Sequence, residues 1–119
     1  MSKVTFEIPA HDMDRAKTFY QDIFGWRIDP LPALDYLLVN TDGRPIDPKE
    51  VDGGITKRNT IVQAPVLIIT VDSIDEARAK LKEAGGLLLT PKTKVAEFGW
   101  SCYAKDTEGN VICLWENQQ

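Results

Sequence analysis

Glu116 is the residue of this chain whose neighbours best prepare it for chemistry. It ends the stretch Lys105-Asp-Thr-Glu-Gly-Asn-Val-Ile-Cys-Leu-Trp-Glu116. The Asp-Thr-Glu-Gly-Asn run suits a tight turn, since Gly and Asn tolerate positive φ at little cost. Val111 to Trp115 is an almost continuous apolar run, expected to form a strand covered on both faces. A carboxylate at the rim of such a core can act as a general base, hold a donor group of a ligand, or coordinate a cation. Near the other end of the chain, Thr5 and Glu7 alternate with Val4, Phe6 and Ile8 and so share one face of a strand. Ser101 and Tyr103 share a face in the same way and could orient a ligand. No residue near Ser101 can serve as its base, so a serine nucleophile is not expected. The single histidine, His11, sits beside Asp12 between a strand and a helix, where a solvated loop position is the simple reading. Cys102 and Cys113 lack the spacing of a metal knuckle and read as reduced core residues. Gly53-Gly54 and Gly85-Gly86 lack the spacing and context of a phosphate-binding loop.

The elements that must position these groups occur twice. Phe6-Glu-Ile-Pro-Ala-His-Asp-Met-Asp-Arg-Ala-Lys and Leu67-Ile-Ile-Thr-Val-Asp-Ser-Ile-Asp-Glu-Ala-Arg lie 61 positions apart, with Asp14 over Asp75, Ala16 over Ala77 and Gly25 over Gly86. In the first copy Asp12 is expected to cap a helix whose inner face carries Ala16, Phe19, Tyr20 and Ile23, and Gly25 to end it. In the second, Ser73-Ile-Asp-Glu76 matches a capping box, Ile74, Ala77, Leu81 and Ala84 line one face, and Gly85-Gly86 stops the helix. Extended segments are expected at Trp26–Ile28, Tyr36–Asn40 and Gly54–Arg58, then at Leu87–Thr90, Phe98–Ala104 and Val111–Glu116. Thr41 to Gly53 and Pro91 to Glu97 read as loops, the former long enough for a lid. The result is an α+β fold of paired βαβββ modules, a single domain over 1–119 with copies at about 3–60 and 64–116. Curled mixed sheets would form a cup, with the helices on the outer face.

Strand parity divides the side chains between helix and cup. Val4, Phe6 and Ile8, and likewise Leu67, Ile69 and Val71, are expected to pack under the helices. Thr5, Glu7, Val66, Ile68 and Thr70 are then left on the cup side. For the last hairpin, a turn over Lys105 to Asn110 would pair Ala104 with Val111, Cys102 with Cys113 and Trp100 with Trp115 as the helix-side face. Ser101, Tyr103, Ile112, Leu114 and Glu116 would then point into the cup. A slip of one residue would invert these assignments. Trp26 is expected to pack at the end of the first helix.

At 119 residues, 43% hydrophobic and 27% charged, the composition is that of a globular domain. A net charge of −4, with Lys57-Arg58 the one adjacent basic pair, argues against a nucleic-acid partner. The start Met1-Ser-Lys-Val-Thr-Phe-Glu lacks the apolar run of a signal peptide. No segment approaches the ~20 apolar residues of a membrane span. A cytoplasmic protein with no membrane partner is expected.

Phe6-Glu-Ile-Pro-Ala-x-Asp-x-Asp-Arg-Ala-x-x-Phe-Tyr and Ile23-Phe-Gly-Trp26 resemble the opening of the vicinal oxygen chelate superfamily, which includes glyoxalase I, bleomycin-resistance proteins and extradiol dioxygenases. Asp72-Ser-Ile-Asp-Glu-Ala, Gly85-Gly86 and Lys105-Asp-x-Glu-Gly-Asn-x-Ile-x-Leu-Trp-Glu116 resemble its second half. The resemblance implies a cup holding small-molecule chemistry and a homodimer. It also implies up to four metal-ligand positions, on the first and last strands of each module. They fall here on Thr5, Val66, a point near Ile55 or Thr56, and Glu116, of which only Glu116 is the expected His or Glu. Catalytic zinc usually takes three protein ligands, and a facial iron triad needs two histidines. One histidine cannot supply this, so no cofactor is expected beyond a divalent ion such as Mg²⁺ or Mn²⁺ weakly held by Glu7 and Glu116. The expectation is a metal-independent protein that binds a small organic molecule through Thr5, Glu7, Val66, Ile68, Ser101, Tyr103, Ile112, Leu114 and Glu116. One alternative is a lyase, isomerase or dioxygenase-like enzyme using Glu116 as base or weak metal ligand. Another is a dimeric interaction module with a vestigial cup.

Overall fold

The computed structural model describes residues 3–31 and 34–119, and the chain divides into two compact units. The first, residues 5–65, contains most of β1 (Val4–Ala10), then α1 (Met13–Phe24), β2 (Arg27–Pro30), β3 (Tyr36–Asn40) and β4 (Gly53–Lys57). The second, residues 66–119 together with the start of the chain, contains β5 (Val66–Thr70), α2 (Ile74–Glu83), β6 (Leu87–Leu88), β7 (Thr93–Val95), β8 (Gly99–Lys105) and β9 (Val111–Asn117). The second unit includes Lys3, whose carbonyl accepts the Thr70 amide at 2.8 Å. Both units are α+β and run strand, helix, then further strands. Strand order is β2-β3-β4-β1 in the first and β5-β9-β8-β6 in the second, where β7 also pairs with β8.

The helix signals act as their residue types require. The Asp12 carboxylate accepts the Arg15 amide at 3.0 Å, and Gly25 closes α1 in the left-handed region, φ 70°, donating to the Gln21 carbonyl. Ser73 Oγ accepts the Glu76 amide at 3.2 Å. At the other end of α2, Gly85 donates to the Lys82 carbonyl and Gly86 to that of Leu81, the paired bonds of a Schellman ending. In the first unit, Ala10, Ile28, Leu37, Val39 and Ile55 are buried, with Phe6, Ile8 and the α1 residues Met13, Ala16 and Tyr20 packed on them. Trp26 stacks on Tyr20 at 4.5 Å, at the helix end as expected. Phe6 and Ile8 therefore face α1, but Val4 does not join them and is 55% exposed. In the second unit, Ile74, Cys102 and Leu114 are buried, with Val71, Ala77, Leu81, Leu88, Trp100 and Ile112 against them.

Phe19 and Ile23 on α1 and Leu67 on β5, expected to be packed between helix and sheet, are likewise exposed. Two expectations about the strands are also corrected. The segment Pro91–Glu97 is not all loop, because β7 adds an edge strand to β8. The last hairpin is also shifted by one residue. Its pairs are Lys105 with Val111, Ala104 with Ile112, Tyr103 with Cys113, Cys102 with Leu114 and Trp100 with Glu116. Asp106, rather than Lys105, opens the turn: its carboxylate accepts the Glu108 and Asn110 amides, and its own amide donates to the Asn110 carbonyl at 2.9 Å. The loop is thus one residue shorter than expected, and every β9 side chain changes face. Ile112, Leu114 and Glu116 lie on the α2 side, not on the face away from it. Cys113 moves the other way, out from under the helix.

Candidate functional site

The face of the first unit turned away from α1 carries a buried carboxylate. Glu7 on β1 pairs with Gly54 on β4, Leu38 on β3 also pairs with Gly54, and Tyr36 pairs with Thr56. Partners across a ladder share a face, so Thr5, Glu7, Tyr36, Leu38, Gly54 and Thr56 lie together on this side. Glu7 is 4% exposed, and its Oε2 accepts the Tyr36 hydroxyl at 2.7 Å. A buried carboxylate is costly unless hydrogen-bonded, and the phenol provides such a bond. Thr5 and Glu7 occupy the face read from sequence parity. Tyr36 was not singled out: in Tyr36-Leu-Leu-Val-Asn40 both alternating sets are largely apolar, so parity does not mark it. The repeat places Ile68 at the position of Glu7, so the carboxylate belongs to one module alone.

Asn40, at the end of β3, is fully buried. Its Nδ2 donates to the Arg44 and Pro45 carbonyls at 3.3 and 3.1 Å, while its Oδ1 accepts the Asp52 amide. The Asp52 carboxylate in turn accepts the Thr41 amide at 2.8 Å and both terminal nitrogens of Arg44. These bonds pin the base of the 41–52 loop. Hydrogen bonds from Arg44, then from Thr41, hold the Asp52 carboxyl below its ordinary range. Asp106 is lowered in the same sense, first by the Asn110 side chain and then by the Asn110 and Glu108 amides.

In the second unit, Val66, Ile68, Ser101, Tyr103 and Cys113 lie on the face away from α2, since Ile68 and Tyr103 both pair with Cys113. Ser101 and Tyr103 thus sit where parity put them. Glu116 does not: its Oε1 accepts the Ile74 amide at 2.8 Å, with Lys92 Nζ at 4.0 Å. That amide is one of the four at the start of α2 without an intrahelical acceptor. Glu116 therefore supplements the Ser73 cap, and its charge faces the positive end of the helix. Cys102 is buried under the helix, with Arg78 Nη1 3.0 Å from its sulfur.

The residues at the metal-ligand positions implied by the resemblance do not fit a transition metal. Val66 has no lone pair to donate, Ile55 is fully buried in the α1-side core, and Thr5 and Thr56 offer only neutral hydroxyls. Glu116 is bonded to a helix amide. His11 is exposed beside the α1 cap. Among the described residues, no group of three or more His, Cys, Asp and Glu comes together as a metal cluster. No helix among them is long and apolar enough to cross a membrane.

A family model described as bleomycin resistance protein-like N-terminal matches residues 3–42. No curated protein matches. A solved structure titled NAD-dependent benzaldehyde dehydrogenase, from Legionella pneumophila, superposes with a TM-score of 0.70 at 12% identity, covering 98% of this chain and 100% of that one. A glyoxalase/bleomycin resistance protein/dioxygenase superfamily member from Vibrio splendidus 12B01 gives 0.68 at 13% identity, covering 98% and 99%. Methylmalonyl-CoA epimerase from Mycobacterium tuberculosis gives 0.64 at 17%, covering 98% and 86%. At these identities the likeness is one of fold.

Proposed function

We propose, from the premise that this chain has the fold of the vicinal oxygen chelate superfamily, that it binds a small organic molecule without a resident metal, through the face that carries Glu7 and Tyr36. The observation that carries this reading is the buried Glu7 carboxylate held by the Tyr36 hydroxyl. The carboxylate oxygens accept hydrogen bonds, so Glu7 and the phenol are the polar groups that a ligand's donors would meet on this face. Thr5 and Thr56, on the same face, add hydroxyls, and Leu38 adds apolar surface. A moderately apolar ligand with amine, amide or hydroxyl donors suits this combination. Glu116 is not part of it, because its carboxylate serves α2. The same reading includes a homodimer, which sedimentation equilibrium tests.

The test is a thermal-shift screen with a panel of small organic amines, amides and alcohols, using wild type and Glu7→Gln. A compound bound only by the native state raises the melting temperature. Glu7→Gln should weaken its binding roughly 10- to 100-fold, the equivalent of losing a charged hydrogen bond of about 1.5–3 kcal/mol. Equal binding by wild type and Glu7→Gln would refute the site. Tightly held metal at one equivalent per chain, found by elemental analysis of the purified protein, would refute the metal-independent part.

A further inference from the structure

The Gly53-Gly54 pair, which matches no phosphate-binding pattern, has a different use. Strand β4 lies between β3 and β1, and each of its two glycines is crossed by an aromatic ring. A methyl group on Gly53 would lie 2.5 Å from Phe6 Cδ1 and Cε1 on the α1 side. On the opposite face, a methyl group on Gly54 would overlap Oη, Cε2 and Cζ of Tyr36. Tyr36 is on β3 and Glu7 on β1, two strand spacings apart, or about 9.6 Å. Tyr36 pairs with Thr56 and Glu7 with Gly54, so the bond between them runs diagonally over Gly54. The phenol can span that gap only by lying flat on β4. A strand glycine that permits such close approach is the one residue type without a Cβ to prevent it.

We infer that Gly54 is a positioning residue: its missing side chain lets the Tyr36 ring cross β4, and so sets the Tyr36–Glu7 hydrogen bond and the shape of the face presented to a ligand. This inference rests on the reading of that face as a binding site, but its geometric part is measurable without any ligand. Any side chain at position 54 lifts the ring and detaches its hydroxyl from Glu7.

The experiment is NMR on protein labelled with ¹³C at tyrosine Cζ, whose shift reports hydrogen bonding of the hydroxyl. Tyr36→Phe assigns the Tyr36 signal. In Gly54→Ala this signal should move toward its position in Glu7→Gln, while that of Tyr20 in the α1 core stays in place. A Tyr36 signal unmoved in Gly54→Ala overturns the inference, since a purely steric role in folding would leave the bond intact. If Gly54→Ala does not fold, Gly54→Ala in a Tyr36→Ala background decides. With the ring gone, the added methyl should cost no stability relative to Tyr36→Ala alone, and a loss there overturns the inference. For compounds that bind wild type, Gly54→Ala should weaken affinity by the same factor as Tyr36→Phe. A shifted Tyr36 signal with unchanged affinity would support the positioning of Tyr36 and overturn the share assigned to this face in binding.

Discussion

Replacing Glu116 separates a helix cap from a ligand-binding carboxylate. Its Oε1 lies 2.8 Å from the Ile74 amide nitrogen and its side chain is 17% exposed, so solvent screens the interaction little. A hydrogen bond to a charged group contributes about 1.5–3 kcal/mol, and a negative charge at a helix N-terminus about 0.3–1 kcal/mol. The two describe the same contact in part, so Glu116→Ala should cost about 2 kcal/mol. Glu116→Gln keeps an acceptor but loses the charge, and should cost about 1 kcal/mol. The unfolding entropy of a chain of 119 residues is about 0.25 kcal/mol/K at roughly 2.1 cal/mol/K per residue, which makes these losses about 8 °C and 4 °C in melting temperature. Circular dichroism melts at pH 7 measure them. The shift produced by a bound compound, taken relative to each variant's own melting point, should be the same in wild type and Glu116→Gln. If Glu116→Ala melts within about 1 °C of wild type yet no longer responds to that compound, the carboxylate serves the ligand and the capping argument is wrong.

Acid should unfold the protein in part through Asp52 and Asp106. Their folded pKa values lie below the unfolded carboxylate value of about 3.9, so the stability they contribute is complete above that pH and is lost as pH falls through the folded values. Urea midpoints should therefore drop between pH 5 and pH 2, and less steeply in Asp52→Asn; equal slopes in the two proteins would contradict the assignment. Ile55 is fully buried between β1 and β3 on the α1 side, so Ile55→Ala should cost about 2–5 kcal/mol in urea denaturation. A cost under about 1 kcal/mol would mean that this core collapses around the missing atoms.

The features legible in the chain are those set by near neighbours. Asp12, Gly25 and Ser73 act on amides and carbonyls three or four residues away, so the ends of α1 and the start of α2 follow from composition at fixed spacing. Alternation along β1, and from β5 into Val71, likewise puts Phe6, Ile8 and Val71 against the helices and leaves Glu7 and Ile68 opposite, although Val4 and Leu67 of the same sets stay exposed. The β8–β9 register was not legible, because it depends on whether the turn opens at Lys105 or Asp106. Both positions suit a turn, and the choice comes from how the Asp106 carboxylate gathers the Glu108 and Asn110 amides. That one-residue difference moved Glu116 from a presumed ligand face to the start of α2. The Glu7–Tyr36 bond joins residues 29 positions apart across an intervening strand. It requires the order β3-β4-β1 and a glycine in the middle strand, and no local pattern encodes a relation among three strands. Caps and periodicity are short-range and survive in the linear sequence, whereas the partners of each carboxylate are long-range and exist only once the strands are paired.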